Sequence, residues 1–391
     1  MQKLFHTLFV FISYVLVAQK NNLQEFTFNE YLGYVKKYHP LVKQANLKLN
    51  EAQALLMEAR GAFDPKIEAD YTNKQYKNQN YYSILNGSFK IPTWYGIEVK
   101  AAFDNNEGVY LNPDMTVPNS GLTSLGITVP VGQGLFINQR MTDIRNAKLQ
   151  QKINEAERNL EAIEVLHRAA IAYFEWKRNY NEVQLYKNFL ENANIRYKGV
   201  LELINEGDKP AIDSTEASIT VNLRQLNLEN SNLKLQKSRL ELSNFLWLEN
   251  NVPVELDENL YPETNLSLTI KNTLETNNID NFDLNNHPKL NALNTKIDIL
   301  KNEQRLRANQ LLPRLDLSYN YLSEPSAFDN YRFQDYKVGV NFALPLFLRK
   351  ERSKLKLAKL KVQDTEFSLA SERVNIKNKI EAQQIEIASL E

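Results

Sequence analysis

The sequence contains no cysteine. Disulfides, thiolate metal sites, a cysteine nucleophile and a lipid-anchoring cysteine are excluded together. Histidine is nearly as scarce, with four residues in the chain. His6 falls in an apolar leader, and His39 and His287 each precede proline. A histidine-centred catalytic site has little to draw on, and no clustered ligands accompany these residues to hold a metal. An excess of either charge is also missing: 47 Lys and Arg face 47 Asp and Glu, for a net charge of zero. A nucleic-acid partner, which calls for a positive surface facing phosphates, is not expected. Walker, zinc-protease and glycine-rich dinucleotide patterns are absent. No enzymatic activity, cofactor or metal is therefore expected. Past the leader no apolar run reaches 18 residues, which excludes a transmembrane helix but not strands of a closed barrel, whose hydropathy signal is weak.

What is present suits a folded chain of 391 residues, 43% hydrophobic and 24% charged. Lys3 followed by the apolar stretch ending at Ala18 predicts a secretory signal over residues 1–18. Residues 27–60 repeat apolar side chains at steps of three and four, a helical pattern that Pro40 either kinks or splits and Gly61 closes. The period then changes to two. Ile67-Glu68-Ala69-Asp70-Tyr71 alternates, as do residues 89–92, 97–103 and 125–129, between Asn, Gly and Pro turns. Such pieces fit either a barrel wall or an ordinary half-buried antiparallel sheet. Gly132 and Gly134 sit where strand gives way to helix and permit tight backbone geometry there.

Residues 138–204 hold one glycine, Gly199, and no proline. As a single helix they would extend about 100 Å, too long for the interior of a compact domain. Leu149, Ile153, Ala156, Leu160, Ile163, Leu166, Ala170, Tyr173 and Phe174 suggest a coiled-coil stripe. Gly207-Asp208-Lys209-Pro210 marks a turn. A second helical run extends from residue 211 to about 249, with Ile212, Ile219, Leu223, Leu226, Leu233, Leu240 and Phe245 on its apolar side, and the two runs can pair as an antiparallel hairpin. Residues 251–286 form a connector with a short helix near residues 268–274.

The pattern then restarts. His39-Pro40-Leu41 is echoed by His287-Pro288-Lys289-Leu290, and 26 residues separate the histidine from the next matching proline in both places, Pro65 and Pro313. Alternating strands follow each, ended by Val129-Pro130-Val131 and Leu344-Pro345-Leu346, and each leads into a helix. An internal duplication is expected, with a first repeat over residues 19–250 and a second, incomplete one over residues 287–391. The first repeat has room for an extra hairpin near residues 84–105. In the second, the outgoing helix from Arg349 has no returning partner. Its apolar positions Leu355, Leu360, Phe367, Ala370, Val374, Ile380 and Ile387 would then lack a companion, so a C-terminally truncated member is expected.

This order of pieces resembles the TolC family of outer-membrane efflux proteins. The resemblance rests on His39-Pro40-Leu41, on Leu312-Pro313-Arg314-Leu315 entering strands, on Leu344-Pro345-Leu346-Phe347 leaving them, and on the helical turn. At that turn Gly207, Asp213 and Ala217 match the family spacing, whereas Pro210 replaces a serine and the usual Arg-Tyr pair is displaced to Arg196-Tyr197. The resemblance implies a mainly α protein with β: long antiparallel coiled-coil hairpins plus transmembrane strands, in a duplicated α/β-barrel protomer. It implies a homotrimer in the outer membrane, in contact with its lipid, with helices in the periplasm. It further implies a periplasmic adaptor and an inner-membrane transporter as partners in tripartite efflux or type I secretion. Gly207, Asp208, Pro210, Asp213 and Ala217 become the candidate periplasmic tip and adaptor contact, and Pro65, Pro130, Pro313 and Pro345 the strand–helix junctions. The chemistry of Asp208 and Asp213 alone is equally that of a solvated helix start, and the basic run Lys350, Arg352, Lys354, Lys356, Lys359 and Lys361 reads as a solvated face or a contact with anionic headgroups. The alternative to a channel is a periplasmic coiled-coil structural or adaptor-like protein.

Overall fold

The computed structural model describes residues 23–273, 283–327 and 332–390. The expected signal over residues 1–18 lies outside them. The described chain packs as two compact units, one drawn from residues up to 46 and from 160 to 282, the other from residues 47–159 and 283 onward.

In the first unit, Thr27 opens helix α1 (Phe28–Tyr38) by accepting the Glu30 N–H on its hydroxyl. His39 ends this helix in an extended conformation, and Pro40 starts α2 (Pro40–Gly61), so the proline splits the run rather than bending it. The His39 Nδ1 accepts the Leu41 N–H at 3.2 Å. His287 accepts the Lys289 N–H at the same distance and caps α6 (Pro288–Asn309) in the second unit. Both histidines use a neutral ring nitrogen where Asn or Ser would ordinarily serve. Burial is the largest influence on each and pushes both below the usual histidine pKa.

The core of the first unit lies between α1, α3 (Gln139–Asn205) and α4 (Ile212–Ser243). Phe28, Tyr31, Val35, Tyr173 and Trp176 are fully enclosed there. Strand β1 (Gln24–Phe26) pairs in parallel with β8 (Leu260–Pro262). The Tyr173 hydroxyl ties the two together, donating to the Phe26 carbonyl at 2.6 Å and accepting the Glu263 N–H at 3.0 Å.

Helices α3 and α4 run antiparallel. Lys234 Nζ meets Glu182 at 3.0 Å, and the Arg224 guanidinium lies 5.3 Å from the centre of the Phe189 ring. The buried seam differs from the one expected. On α3 it is Val165, Ala169, Tyr173, Trp176, Asn179 and Val183; on α4 it is Ser231, Leu235, Ser238 and Leu242, all at steps of three or four. The stripe read from sequence on α4 is instead exposed: Ile212, Ile219, Leu223, Leu226, Leu233 and Leu240 are 52–69% accessible. On α4 the small Ser231 and Ser238 alternate with Leu235 and Leu242, which join Tyr173 and Trp176 of α3 in one apolar cluster. The run also stops short of residue 249. Trp247–Leu248 (β6) turns back onto Val252–Pro253 (β7), with Asn250 and Asn251 at φ 64° and 59°, conformations that asparagine tolerates. The connector contains β8 and α5 (Leu266–Thr273).

In the second unit, α6 and α7 (Arg349–Leu390) pack through Leu290, Ile297 and Leu306 on one side and Ala358, Val362, Thr365 and Ile376 on the other. Lys289–Glu372 at 2.6 Å and Lys301–Glu366 at 3.7 Å flank the seam. The α7 stripe expected from sequence is not one face. Leu355 and Ile380 are half-buried along the seam, whereas Leu360, Phe367, Ala370, Val374 and Ile387 are exposed.

Six strands complete the unit: β2 (Lys66–Tyr76), β3 (Gln79–Pro92), β4 (Glu98–Glu107), β5 (Leu122–Gly132), β9 (Arg314–Ser323) and β10 (Tyr336–Ala343). They form one antiparallel sheet in the order β10-β9-β5-β4-β3-β2. Lys77 and Asn78, both with positive φ, make the two-residue turn that matches the twist of the β2–β3 hairpin. The extra hairpin expected near residues 84–105 is β3–β4, with Ile84 opposite Asn106.

Candidate functional site

Two places bring sequence-predicted residues together: the wall of the sheet and the turn between α3 and α4. In the wall, the two-residue period of a strand sorts alternate side chains onto opposite faces, and the register decides which of them meet. One rung runs Ile67–Phe89–Ala101–Leu125–Tyr321–Tyr336 across all six strands. The neighbouring rung on the same face is Ile91–Val99–Ile127–Tyr319–Val338. The opposite face carries Glu68, Asp70, Asn86, Ser88, Lys100, Asp104, Ser124, Ser318 and Asn320 at alternate positions.

On β3 and β5 the apolar face is the more open one, whereas the edge strands β2 and β10 are exposed on nearly every residue of both faces. Ile67 is 82% accessible, Val340 64% and Val338 58%. Along β3 the apolar Leu85, Phe89 and Ile91 are exposed while Ile84, Asn86, Ser88 and Lys90 between them are half-buried. Along β5, Leu125 and Ile127 are exposed, whereas Gly126 and Pro130 on the other face are buried. On these two strands the apolar face is thus the more accessible one, the reverse of a half-buried sheet that folds its apolar side onto a core. Gly126 lets the neighbouring strand's Asn320 lie over it: a Cβ there would come within 2.0 Å of Asn320 Oδ1.

The four junction prolines occupy related but unequal positions. Pro65 directly precedes β2 and Pro313 directly precedes β9. The Pro313 carbonyl accepts the Gln133 N–H at 3.4 Å. Pro130 lies within β5, opposite Asp316 and beyond the last residue of β5 paired with β4, so its missing N–H breaks no rung on that side. Pro345 follows β10, in a short loop whose Leu348 has φ 49°. Where β5 gives way to α3, Asn138 caps the helix by accepting the Met141 N–H at 2.9 Å and donating to the Trp94 carbonyl at 2.9 Å. Arg140 pairs with Glu98, and Arg314 with Asp316 at 2.7 Å.

At the turn, Gly207 has φ 84°, its N–H reaches the Ile204 carbonyl at 3.1 Å, and the Asp208 N–H reaches the Leu203 carbonyl at 2.9 Å. This is a glycine-terminated helix end in the Schellman arrangement. Asp213 lies in the first turn of α4 and accepts from Lys209 Nζ at 3.2 Å. Asp208 and Pro210 are exposed, and Ala217 is half-buried. The basic residues between Lys350 and Lys361 named above are all exposed on α7. Sequence reasoning missed the openness of the α4 stripe. Its strict seven-residue spacing from Ile212 to Leu240, separate from the Ser-rich positions, was the available signal.

Residues 34–246, more than half the chain, match the family model described as outer membrane efflux protein. The chain belongs to that family. Comparison with curated protein sequences returned no match. Among solved structures, the outer membrane protein VceC of Vibrio cholerae aligns with a TM-score of 0.58 at 14% identity, over 93% of this chain and 79% of VceC. The CmeC outer membrane channel of Campylobacter jejuni gives 0.55 at 14%, over 89% of this chain and 67% of CmeC. The open-state MtrE outer membrane channel of Neisseria gonorrhoeae gives 0.56 at 12%, over 92% and 74%. At such identities the likeness shows the fold: a mainly helical efflux-family protomer with a sheet, of the kind the sequence resembled. The family is one of channel proteins.

Proposed function

We propose that this chain is one protomer of a homotrimeric export channel, with its strands in the outer membrane and its long helices in the periplasm. It acts as a passive conduit with no chemical step. The observation that carries this reading is the exposed apolar face of the sheet, backed by a polar opposite face. In hydrocarbon an apolar outer surface is stabilised, and the polar groups then face water. The lengths agree: β2 to β5, β9 and β10 contain 8–14 residues, around the roughly 9–11 needed for a tilted spanning strand. A six-stranded sheet with β2 and β10 at its edges cannot stay open in lipid, where unpaired backbone groups find no water. Three copies would supply eighteen strands from the six of each chain, the size class that encloses an aqueous channel.

On this reading the two histidine-capped helix–strand–helix stretches are the repeats of the protomer, residues 19–250 and 287–391, joined by residues 251–286. Gly207, Asp208, Pro210, Asp213 and Ala217 form the periplasmic tip that meets an adaptor, itself docked on an inner-membrane transporter. Pro65, Pro130, Pro313 and Pro345 mark the change from barrel to helices. Opening requires the tips to separate when the adaptor docks. Two measurements test this. The full chain should be recovered with outer membranes and, once purified, should give stepwise conductance in a planar bilayer. Recovery only in the soluble periplasmic fraction would overturn the channel and favour the structural or adaptor-like alternative. For the tip, a Gly/Ser replacement of residues 207–213 should abolish crosslinking to the adaptor; unchanged crosslinking would remove that assignment.

A further inference from the structure

One rung of the polar face has an unusual composition. Lys66 lies opposite Lys90, Lys90 opposite Lys100, Lys100 opposite Gly126, Gly126 opposite Asn320, and Asn320 opposite Lys337. Four ammonium groups and one carboxamide therefore line a single transverse row of the sheet. Like charges on facing positions of neighbouring strands repel, a cost to the fold that the neighbouring Glu68 offsets only in part. Glu68, one rung away, pairs with Lys90. Lys66, Lys100 and Lys337 are exposed and form no ion pair among the described residues. The remaining carboxylates of this face are engaged or distant. Glu98 holds Arg140, and Asp316 holds Arg314. Asp70 and Asp104 share the rung Asp70–Asn86–Asp104, four residues along the strands, or about 14 Å from the lysines. That exceeds the roughly 8 Å over which physiological salt screens exposed charges. The face is thus banded, with a cationic row separated from an acidic one.

We propose that the Lys66–Lys90–Lys100–Lys337 row is an anion-binding belt on the water-facing wall, suited to solutes carrying two or more carboxylate, sulfate or phosphate groups. The inference rests on the channel reading for the direction the face points: three copies bring the four lysines of each chain into one ring of twelve. Rings of cationic side chains are how pores favour anions. Asn320, held over the bare Gly126, adds an amide donor to the row.

The test uses the full chain reconstituted in zwitterionic lipid, with inorganic triphosphate as probe. Lysines are acetylated with and without triphosphate and read by mass spectrometry, with exposed Lys354 on α7 as reference. Protection of Lys66, Lys100 and Lys337 by about threefold or more over Lys354 is expected, falling as salt is raised. In parallel, reversal potentials in a KCl gradient compare the wild type with Lys66→Gln/Lys100→Gln/Lys337→Gln. Lys90 is kept because it answers Glu68. The chloride-over-potassium permeability ratio should fall by about twofold or more in the variant. A channel that conducts normally with neither protection nor a shifted ratio overturns the belt and leaves the channel reading intact. Protection without conductance in any preparation supports the belt and removes the channel. Protection by anionic vesicles but not by triphosphate overturns a solute site in favour of lipid headgroups.

Discussion

Two buried tyrosines of the first unit, 5.5 Å apart between ring centres, should respond in opposite directions to the same substitution. The Tyr173 hydroxyl is enclosed and satisfies two backbone groups, the Phe26 carbonyl and the Glu263 N–H. Tyr173→Phe keeps the ring against Phe28, Tyr31 and Trp176 but leaves both groups without a partner. At about 1–3 kcal/mol for each buried polar group stranded, and less where water enters, the net loss should be about 2–4 kcal/mol. This corresponds to a fall in Tm of roughly 5–10 °C. The Tyr31 hydroxyl is also buried but has no hydrogen-bond partner among the described residues. Tyr31→Phe removes an unsatisfied group and should be neutral or stabilise by about 1 kcal/mol. Thermal and urea melts of the detergent-solubilised chain at pH 7.5 would compare the three proteins. Alkaline pH adds a second reading. Burial pushes the Tyr173 hydroxyl above the ordinary tyrosine pKa of 10.0, so its contribution is complete below about pH 10 and is lost as pH rises further. The wild type should lose more stability above pH 10 than Tyr173→Phe does. Equal stability of the two phenylalanine variants, or a Tyr173→Phe loss under about 0.5 kcal/mol, would refute the bridging role.

Three further outcomes follow from the same structure. His39 is held below its usual pKa chiefly by burial, with Arg168 adding to the effect. The unfolded chain therefore takes up the proton first, and stability should be full above about pH 6.5 and fall as pH drops below it; His39→Asn, which can cap without titrating, should flatten that slope in melts between pH 7.5 and 5. Gly126→Val would press a branched side chain into Asn320 and the Tyr319 carbonyl, costing about 1–3 kcal/mol and reducing the yield of heat-resistant oligomer on gels, whereas Gly199→Ala, which meets nothing within 4 Å on α3, should stabilise by about 0.5–1 kcal/mol. Leu226→Lys/Leu233→Lys on the open face of α4 should leave the fold of the chain intact by circular dichroism while dissociating the oligomer by light scattering, at about 1 kcal/mol for each half-exposed leucine a neighbour would cover.

The sequence made the strands legible through local alternation, as in Ile67-Glu68-Ala69-Asp70-Tyr71, and the helices through the spacing of prolines and glycines. Gly199 as the sole interruption in residues 138–204 was enough to foresee α3 as a single 67-residue helix. The seams were harder to read because hydrophobicity favoured the wrong face. On α4 the intrachain side offers Ser231 and Ser238 between leucines, while the open side offers isoleucine or leucine at every seventh position. A one-dimensional reading weighs side-chain transfer energy, but which face is buried depends on where the partner helix lies. The β6–β7 hairpin escaped notice because it depends on two asparagines entering left-handed backbone, which costs little for that residue and leaves no periodic trace. The lysine row was invisible for a different reason. Its members lie up to 271 positions apart, from Lys66 to Lys337, and only the register of five strand pairings aligns them.

The open edges of the sheet and the open face of α4 impose a common order on assembly. Among the described residues strand β10 pairs only with β9, and β2 only with β3, so each edge presents a row of N–H and C=O groups with no strand partner there. In water these groups are solvated and an isolated protomer can persist. In hydrocarbon each one left unpaired costs several kcal/mol, and a strand edge of 8 or 11 residues multiplies that cost beyond the stability of a typical domain, about 5–15 kcal/mol. The exposed apolar face favours entry into the membrane, but the edges prohibit it until neighbouring copies pair with them. The exposed stripe from Ile212 to Leu240 carries no such prohibition and is available to a neighbour in water. In the proposed channel, oligomerisation through the helices therefore precedes or accompanies insertion of the strands. Insertion into liposomes should rise more steeply than linearly with protein concentration, and Leu226→Lys/Leu233→Lys should lower it even though both substitutions lie far from the strands in sequence. A protease-protected monomer in the bilayer would contradict this order, because its two unpaired edges would have to be satisfied by something other than a second copy of the chain.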